Sequence, residues 1–423
     1  MIYSARNILL KNSDFLFRVA GLGGKFLLIL ILARTMTASV VGAFGLVTAT
    51  ISVCLYFVGL DFYVYTTREI LSAEQKKSTG NIIYNQVLFF FFTYLILMML
   101  WPYITHYSQI SAYATIALAL VISEHLSQEI YRFLIALKKN RFANFCLFLR
   151  SGAWCYVIIP IIFLKKISLY EIFYTWFAFS LISVLLGLLF LKYSGSLDVL
   201  SFKPDFKWIT NGVGICALFF IGTISIRAIN YFDKIIAVHF LDLNIIGAYV
   251  FYAGIGSAIQ SVIDVLIMTR YYPDVVKFVQ RNDEKNIKKS MKEFQINNWK
   301  ANIILYSLGS VFCYIVALFT EKEIYTSFFF VFIFIAVANI ITNLSMPYHY
   351  WIYAKKYDLF LIVTNVLALI AFVLISYGLL TFIPALGVSA ILGALILSNL
   401  IIIVRKKIIL KRCMVNEWID NYK

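Results

Sequence analysis

Apolar runs of about 20 residues, the length a helix needs to cross a bilayer, recur along the chain between short polar stretches. The pattern predicts twelve spans, over residues 12–33, 40–60, 82–104, 112–135, 142–164, 170–191, 210–229, 244–267, 299–319, 324–346, 358–380 and 384–404. The tenth is expected to break at Met346-Pro347, since proline lacks a helix donor. The longest polar stretch has a period of its own. Lys277, Arg281, Lys285, Lys288, Lys289 and Lys292 recur every three or four positions, while Ile287, Met291 and Phe294 share another face. A basic amphipathic helix over 273–298 is expected there, lying on the anionic inner leaflet.

The chain is 62% hydrophobic and 14% charged, against about half apolar and a quarter charged for a soluble protein. A soluble fold is excluded. The net charge of +16 sits mostly in loops, so it reports topology and implies no nucleic-acid partner. Of the 37 Lys and Arg residues, 27 fall on the side holding both chain ends and 5 on the other. Both termini are therefore expected in the cytoplasm. The first run lacks a signal-peptide cleavage pattern and is expected to be retained. The six cysteines show no C-x-x-C spacing, so no disulfide framework or zinc site is expected. The chain has no phosphate-cradling lysine loop, G-x-S-x-G elbow or His/Cys metal cluster. Every loop on the less basic side is short. These features favour a transporter without cofactor or metal over an enzyme.

The two halves resemble each other. Val41-Gly42-Ala43-Phe44 after span 1 matches Ile246-Gly247-Ala248-Tyr249 after span 7, at an offset of 205. Thr67-Arg68 matches Thr269-Arg270, and Ile135-Ala136-Leu137-Lys138-Lys139 matches Ile352-Tyr353-Ala354-Lys355-Lys356, at offsets of 202 and 217. The expected architecture is all-α: two pseudo-symmetric six-helix bundles, 1–200 and 201–404, around a central cavity, with a basic tail over 405–423. Six spans per half make the repeats parallel, and such folds move substrates by rocking one half against the other.

Charges inside spans cost about 2.5–3.5 kcal/mol each at the bilayer centre, and they mark wet cavities or partners. Span 1 carries Asp14, Arg18 and Lys25 on one helical face, with Gly21 leaving room beside them. Span 5 carries Arg150, and span 7 is expected to place Arg227 at its outer end. Arg18, Lys25, Arg150 and Arg227 are the candidate substrate-binding residues. Arginine forks and lysine point charges suit phosphate or diphosphate. Glu124 in span 4 and Asp264 in span 8 are candidates for carrying a coupling proton or Na⁺. The alternative for each acid is structural pairing: Asp14 with Arg18, and Glu124 with Lys25 or Arg150. Ser, Asn and Gly stripes, including Asn339 and Asn343, read as helix-packing contacts. The tryptophans read mostly as membrane-interface anchors, and the four histidines suggest no role.

Leu32-Ala33-Arg34-Thr35-Met36 followed by Val41-Gly42-Ala43-Phe44-Gly45 resembles the loop after the first span of polysaccharide transporters. These are the Wzx-type O-antigen and capsule flippases of the multidrug/oligosaccharidyl-lipid/polysaccharide exporter superfamily. Asp233-Lys234, Ile246-Gly247-Ala248-Tyr249 and Tyr272-Pro273 resemble the matching stretch of the second half. The resemblance implies export of an undecaprenyl-diphosphate-linked oligosaccharide across the bacterial inner membrane through a cationic cavity. It also implies a proton or Na⁺ gradient as the driving force, and the polymerase and chain-length proteins of such a pathway as partners beside membrane lipids. Three alternatives stand beside it, one of them a peptidoglycan-precursor flippase, which shares the superfamily but usually has fourteen spans. A cation-coupled multidrug exporter would share the fold but should have a more acidic cavity. A membrane-embedded polysaccharide polymerase or acyltransferase should have a large outer loop.

Overall fold

Backbone groups in lipid must find their partners within the chain, which for an open segment means a helix. The computed structural model describes residues 2–72, 79–195 and 203–420, with side chains over 16–71, 79–195 and 203–412. It is all helix, with no strand among the described residues. The first eight helices are α1 (Ile2–Thr35), α2 (Ala38–Gly59), α3 (Tyr63–Ser72), α4 (Thr79–Tyr107), α5 (Ala114–Ala136), α6 (Asn140–Phe148), α7 (Trp154–Leu164) and α8 (Leu169–Tyr193). The remainder are α9 (Phe206–Phe240), α10 (Leu243–Ile263), α11 (Thr269–Gln280), α12 (Glu284–Phe319), α13 (Glu323–Ser327), α14 (Phe330–Ala354), α15 (Asp358–Phe382) and α16 (Val388–Asp420). A π turn over Leu149–Ala153 joins α6 to α7, and another over Asp264–Met268 joins α10 to α11. Among the described residues, eleven helical segments are long and apolar enough to span a membrane. α5 has the length, at 23 residues, but its Glu124, His125, Gln128 and Glu129 lower its hydropathy. With α5 included, the twelve expected spans are accounted for.

The chain forms two compact units. One comprises Met1–Thr35 and Leu46–Phe220, the other Met36–Gly45 and Ile221–Lys423. The break near residue 200 expected from the sequence thus falls inside α9 instead. The start of α9 belongs to the first unit because Trp208 and Ile209 pack on Phe62, whose ring stacks on Phe89 at 4.4 Å.

Residues 36–45 belong to the second unit for a related reason. A Cβ on Gly42 would lie 2.5 Å from Leu243 O, and one on Gly247 would lie 1.8 Å from Ala38 O. The backbones of α2 and α10 cross in contact there, which only glycine permits. The pairs are reciprocal, since 38 and 243, like 42 and 247, differ by the same 205 residues. Ser39 N donates to Asn244 Oδ1 at 3.0 Å across the crossing, again at that offset. The repeated motif therefore packs on its own counterpart about a local pseudo-two-fold. The Lys-Lys loops are also equivalent, with a register one residue from the expected 217. Lys138 and Lys356 take φ of 60° and 62° just beyond α5 and α14. Lys139 N then bonds Leu134 O, as Tyr357 N bonds Ile352 O.

Four expectations need correction. The polar stretch between the second and third expected spans is not plain loop, since it contains α3. α14 does not stop at Met346-Pro347 but runs on to Ala354. Proline at 347 leaves the Asn343 carbonyl without its helical donor. Asn298 Nδ2 supplies one from α12 at 2.8 Å, which repairs the break. The amphipathic helix over 273–298 is two helices. Asn282, at φ 53°, turns the chain, and Asp283 caps α12 by accepting from Asn286 N. The Asn286 side-chain bond also holds the Asp283 carboxyl below its usual range. The apolar face is partly spent internally, since Ile287 and Met291 stay half-buried. Phe294 is fully buried and stacks on Tyr271 at 5.2 Å, so it is not offered to lipid. Finally, α9 continues to Phe240, because Asp233 is satisfied inside the bundle by Lys234 and by Tyr249 OH at 2.6 Å. Arg227 accordingly lies well within the helix and not at its end.

Two stability outcomes follow. Gly247→Val should cost about 1–3 kcal/mol by forcing the α2–α10 crossing apart. Gly378→Val, where a Cβ meets nothing within 4 Å, should leave the melting profile in detergent nearly unchanged. Asn298→Ala should destabilise by about 1–3 kcal/mol through the orphaned carbonyl. Its cost should be smaller in a Pro347→Ala background, which restores the helical N–H; a double-mutant cycle by thermal unfolding measures the difference.

Candidate functional site

Within the first unit, α1 and the π turn of Leu149–Ala153 approach through glycine. A Cβ on Gly152 would lie 2.4 Å from Gly21 Cα, and one on Gly24 would lie 2.9 Å from Gly152 O. This contact fixes the face of α1 that bears Arg18 and Lys25 against α6, α7 and α8. Tyr156 OH secures it by donating to Ala20 O at 2.9 Å.

The π turn re-aims Arg150, as one-turn π bulges often do at functional positions. Arg150 Nη1 meets Glu124 Oε2 at 3.4 Å and Glu124 O at 3.2 Å. Glu124, from α5, is 4% exposed, and its Oε1 accepts from Trp176 Nε1 of α8 at 2.9 Å. Trp176 stacks on Trp154 at 5.3 Å, and the Lys25 ammonium lies 5.6 Å from a Trp176 ring centroid. Arg18 Nε donates to Asn144 Oδ1 of α6 at 3.0 Å. Four of the six candidates, Arg18, Lys25, Glu124 and Arg150, are thus gathered on neighbouring helices of one unit.

Their charges do not balance. Glu124 is matched by Arg150, of the two partners considered for it. Arg18 and Lys25 are exposed, and neither has a carboxylate within ion-pair distance among the described side chains. The Asp14 side chain, expected to pair with Arg18, lies outside the described residues. Open donors add to the imbalance. Arg150 Nε, Trp154 Nε1 and Ser180 Oγ are buried without a hydrogen-bond partner. Only Nη1 of the guanidinium is engaged with Glu124, which leaves the Nε edge of the fork open.

Arg227 and Asp264 belong to the second unit. Arg227 is exposed on α9 and acts electrostatically on Asp264. Asp264 opens the second π turn and accepts from Gln260 Nε2 at 2.9 Å. Gln260 in turn bonds Asn343, which bonds Asn302. Asn343 is fully buried in this network and serves the helix packing expected of it.

Sequence reasoning missed Asn144, Trp154 and Trp176. Trp154 and Trp176 are 1% and 5% exposed, so they are buried posts and not interface anchors. The spacing of Trp176, Ser180 and Ser183, one to two helical turns on a single face, could have signalled it.

No protein-family model and no curated protein matches the sequence. Solved structures do match in shape. An inward-facing multidrug resistance MATE-family transporter of the MOP superfamily has a TM-score of 0.76 at 12% identity, covering 94% of this chain and 98% of that one. The lipid II flippase MurJ in an inward closed conformation has 0.63 at 15% identity, covering 96% and 87%. A variant of the Vibrio cholerae MATE transporter VcmN has 0.59 at 12% identity, covering 95% and 97%. The chain therefore has the fold shared by these MATE and MurJ transporters.

Proposed function

We propose that this protein is a flippase that moves an undecaprenyl-diphosphate-linked oligosaccharide, an O-antigen or capsule precursor, across a bacterial cytoplasmic membrane. The observation that carries the reading is the surplus of cations in the first unit. Arg18 and Lys25 lack carboxylates among the described side chains, and Arg150 keeps an open fork edge. Exposed cations within a span are costly against lipid, so they favour a wet path. A diphosphate supplies both the negative charge and the acceptor oxygens that these groups lack. Both termini would be cytoplasmic, and a proton or Na⁺ gradient acting through Glu124 or Asp264 would drive alternating access. Arg227 would serve the same substrate from the second unit.

A cation-coupled multidrug exporter is the second reading. The higher TM-score of the MATE transporter and the buried Glu124 carboxylate favour it. Arg18 and Lys25, without a carboxylate among the described side chains, oppose it, because a cationic drug would be repelled.

In proteoliposomes loaded with a fluorescent undecaprenyl-diphosphate oligosaccharide, the Arg18→Gln/Lys25→Gln double variant should insert normally. It should translocate the lipid at least ~10-fold more slowly, the equivalent of one lost charged hydrogen bond. Wild-type rates in that variant, or efflux of ethidium in preference to the lipid, would reject the flippase reading. Glu124→Gln should flatten the dependence of transport on pH. Full transport with an unaltered pH response would remove Glu124 as the ion carrier.

A further inference from the structure

A second buried cluster occupies the first unit beside the site described above, whose Arg150 acts on it electrostatically. Glu129 of α5 is 3% exposed; its Oε2 accepts from Gln86 Nε2 of α4 at 2.7 Å, and its Oε1 is bound by Arg132 Nη1. The Arg132 guanidinium lies 3.6 Å from the Tyr63 ring centroid of α3. His125, fully buried, shares a 2.8 Å hydrogen bond between Nδ1 and Tyr94 OH of α4. Its other nitrogen, Nε2, has no hydrogen-bond partner and stands 3.8 Å from Glu129 Oε1. Gln86 Oε1 is likewise buried and unpaired. α2 presents Gly59 here: a Cβ at 59 would come within 3.3 Å of His125 Nε2 and 4.0 Å of Arg132 Nη1.

We propose that His125 and Glu129 form a buried proton-binding site, in which a proton on His125 takes the place of Arg132 as the counter-charge of Glu129.

The separations set the terms. At 3.8 Å, Nε2 and Oε1 are too far apart for a hydrogen bond, yet one side-chain adjustment would close the gap. With Arg132 in place, Glu129 is already neutralised. A protonated His125 would then be a second cation on one carboxylate, and Arg150 is also within electrostatic reach. That arrangement is costly in a low-dielectric bundle. Proton and guanidinium therefore exclude each other. Arg132 is the member able to leave, because its side chain is 19% exposed while that of Glu129 is 4% exposed. Among the described residues, the titratable and charged groups acting on His125 are Tyr94 from α4, Glu129 and Arg132 from α5, and Arg150 from the π turn, with Tyr63 of α3 lying under the Arg132 guanidinium.

The exchange balances simply. A proton from water adds to the Nε2 lone pair while Nδ1–H donates to the Tyr94 oxygen. Nε2–H then donates to Glu129 Oε1, and Arg132 is released toward solvent. Return of Arg132 expels the proton to water. Gly59 leaves the space over which the exchange occurs. The site takes a proton whatever the cargo, so it stands apart from the flippase reading.

The test uses the full chain, labelled with ¹⁵N-histidine, in lipid nanodiscs. The chain has four histidines, and His125→Gln assigns the resonance. In Arg132→Gln, the His125 protonation midpoint should rise by about one unit or more over wild type, because the carboxylate loses its competing cation. Adding Glu129→Gln should abolish the rise, and Arg132→Lys should keep the wild-type midpoint. Should Arg132→Gln not fold, Tyr63→Leu, which removes only the ring under the guanidinium, should raise the midpoint by a smaller amount. An unchanged midpoint in Arg132→Gln, or in Tyr63→Leu where Arg132→Gln does not fold, would overturn the proposal, as would a rise that persists with Glu129→Gln.

Discussion

A carboxylate inside an apolar bundle must be matched by a cation or by donors, and Glu124 is matched by both. Arg150 and Trp176 meet it from two other helices, so the pair ties α5, the π turn and α8 together. That arrangement needs α1 to come close, which the Gly21, Gly24 and Gly152 backbones allow. Once Glu124 is committed to Arg150, it offers nothing to Lys25 or Arg18. The cationic character of the first unit follows from this one pairing, and not from the net charge of the chain, most of which lies in loops.

The second unit handles polarity differently. Asn298, Asn302, Asn343 and Gln260 satisfy one another and mend the helix where Pro347 interrupts it. Amides can do this without net charge, and they lock α10, α12 and α14 together. The reciprocal contacts of Gly42 and Gly247 add a symmetric crossing to the same unit. Similar halves thus settle their buried polar groups differently at these places, Glu124 by charge pairing and the break at Pro347 by amides.

Much of this was legible in the sequence because lipid imposes length and hydropathy on every span. The shared face of Arg18, Gly21 and Lys25 needed only helical periodicity, and the repeated Gly42 and Gly247 marked a real contact. The rest depended on tertiary partners. Nothing local announces that Asn298 will rescue the carbonyl freed by Pro347, or that Tyr249 will let α9 run past Asp233. The π turns at Arg150 and Asp264 insert a residue without any punctuating Pro or long polar run. The basic period over 273–298 was real, but Phe294 of the apolar face it implied is covered by Tyr271 and Tyr350. Periodicity shows that a face is apolar, while only packing shows what covers it.

The central claim is that Arg18 and Lys25, without a carboxylate among the described side chains, hold a diphosphate. Native mass spectrometry of the purified protein tests it directly. The protein would be offered equal amounts of an undecaprenyl-diphosphate oligosaccharide, its monophosphate analogue and ethidium. The account predicts preferential retention of the diphosphate lipid, lost when Arg18 and Lys25 are both replaced by glutamine. Equal retention of diphosphate and monophosphate, or preferential retention of ethidium, would contradict it.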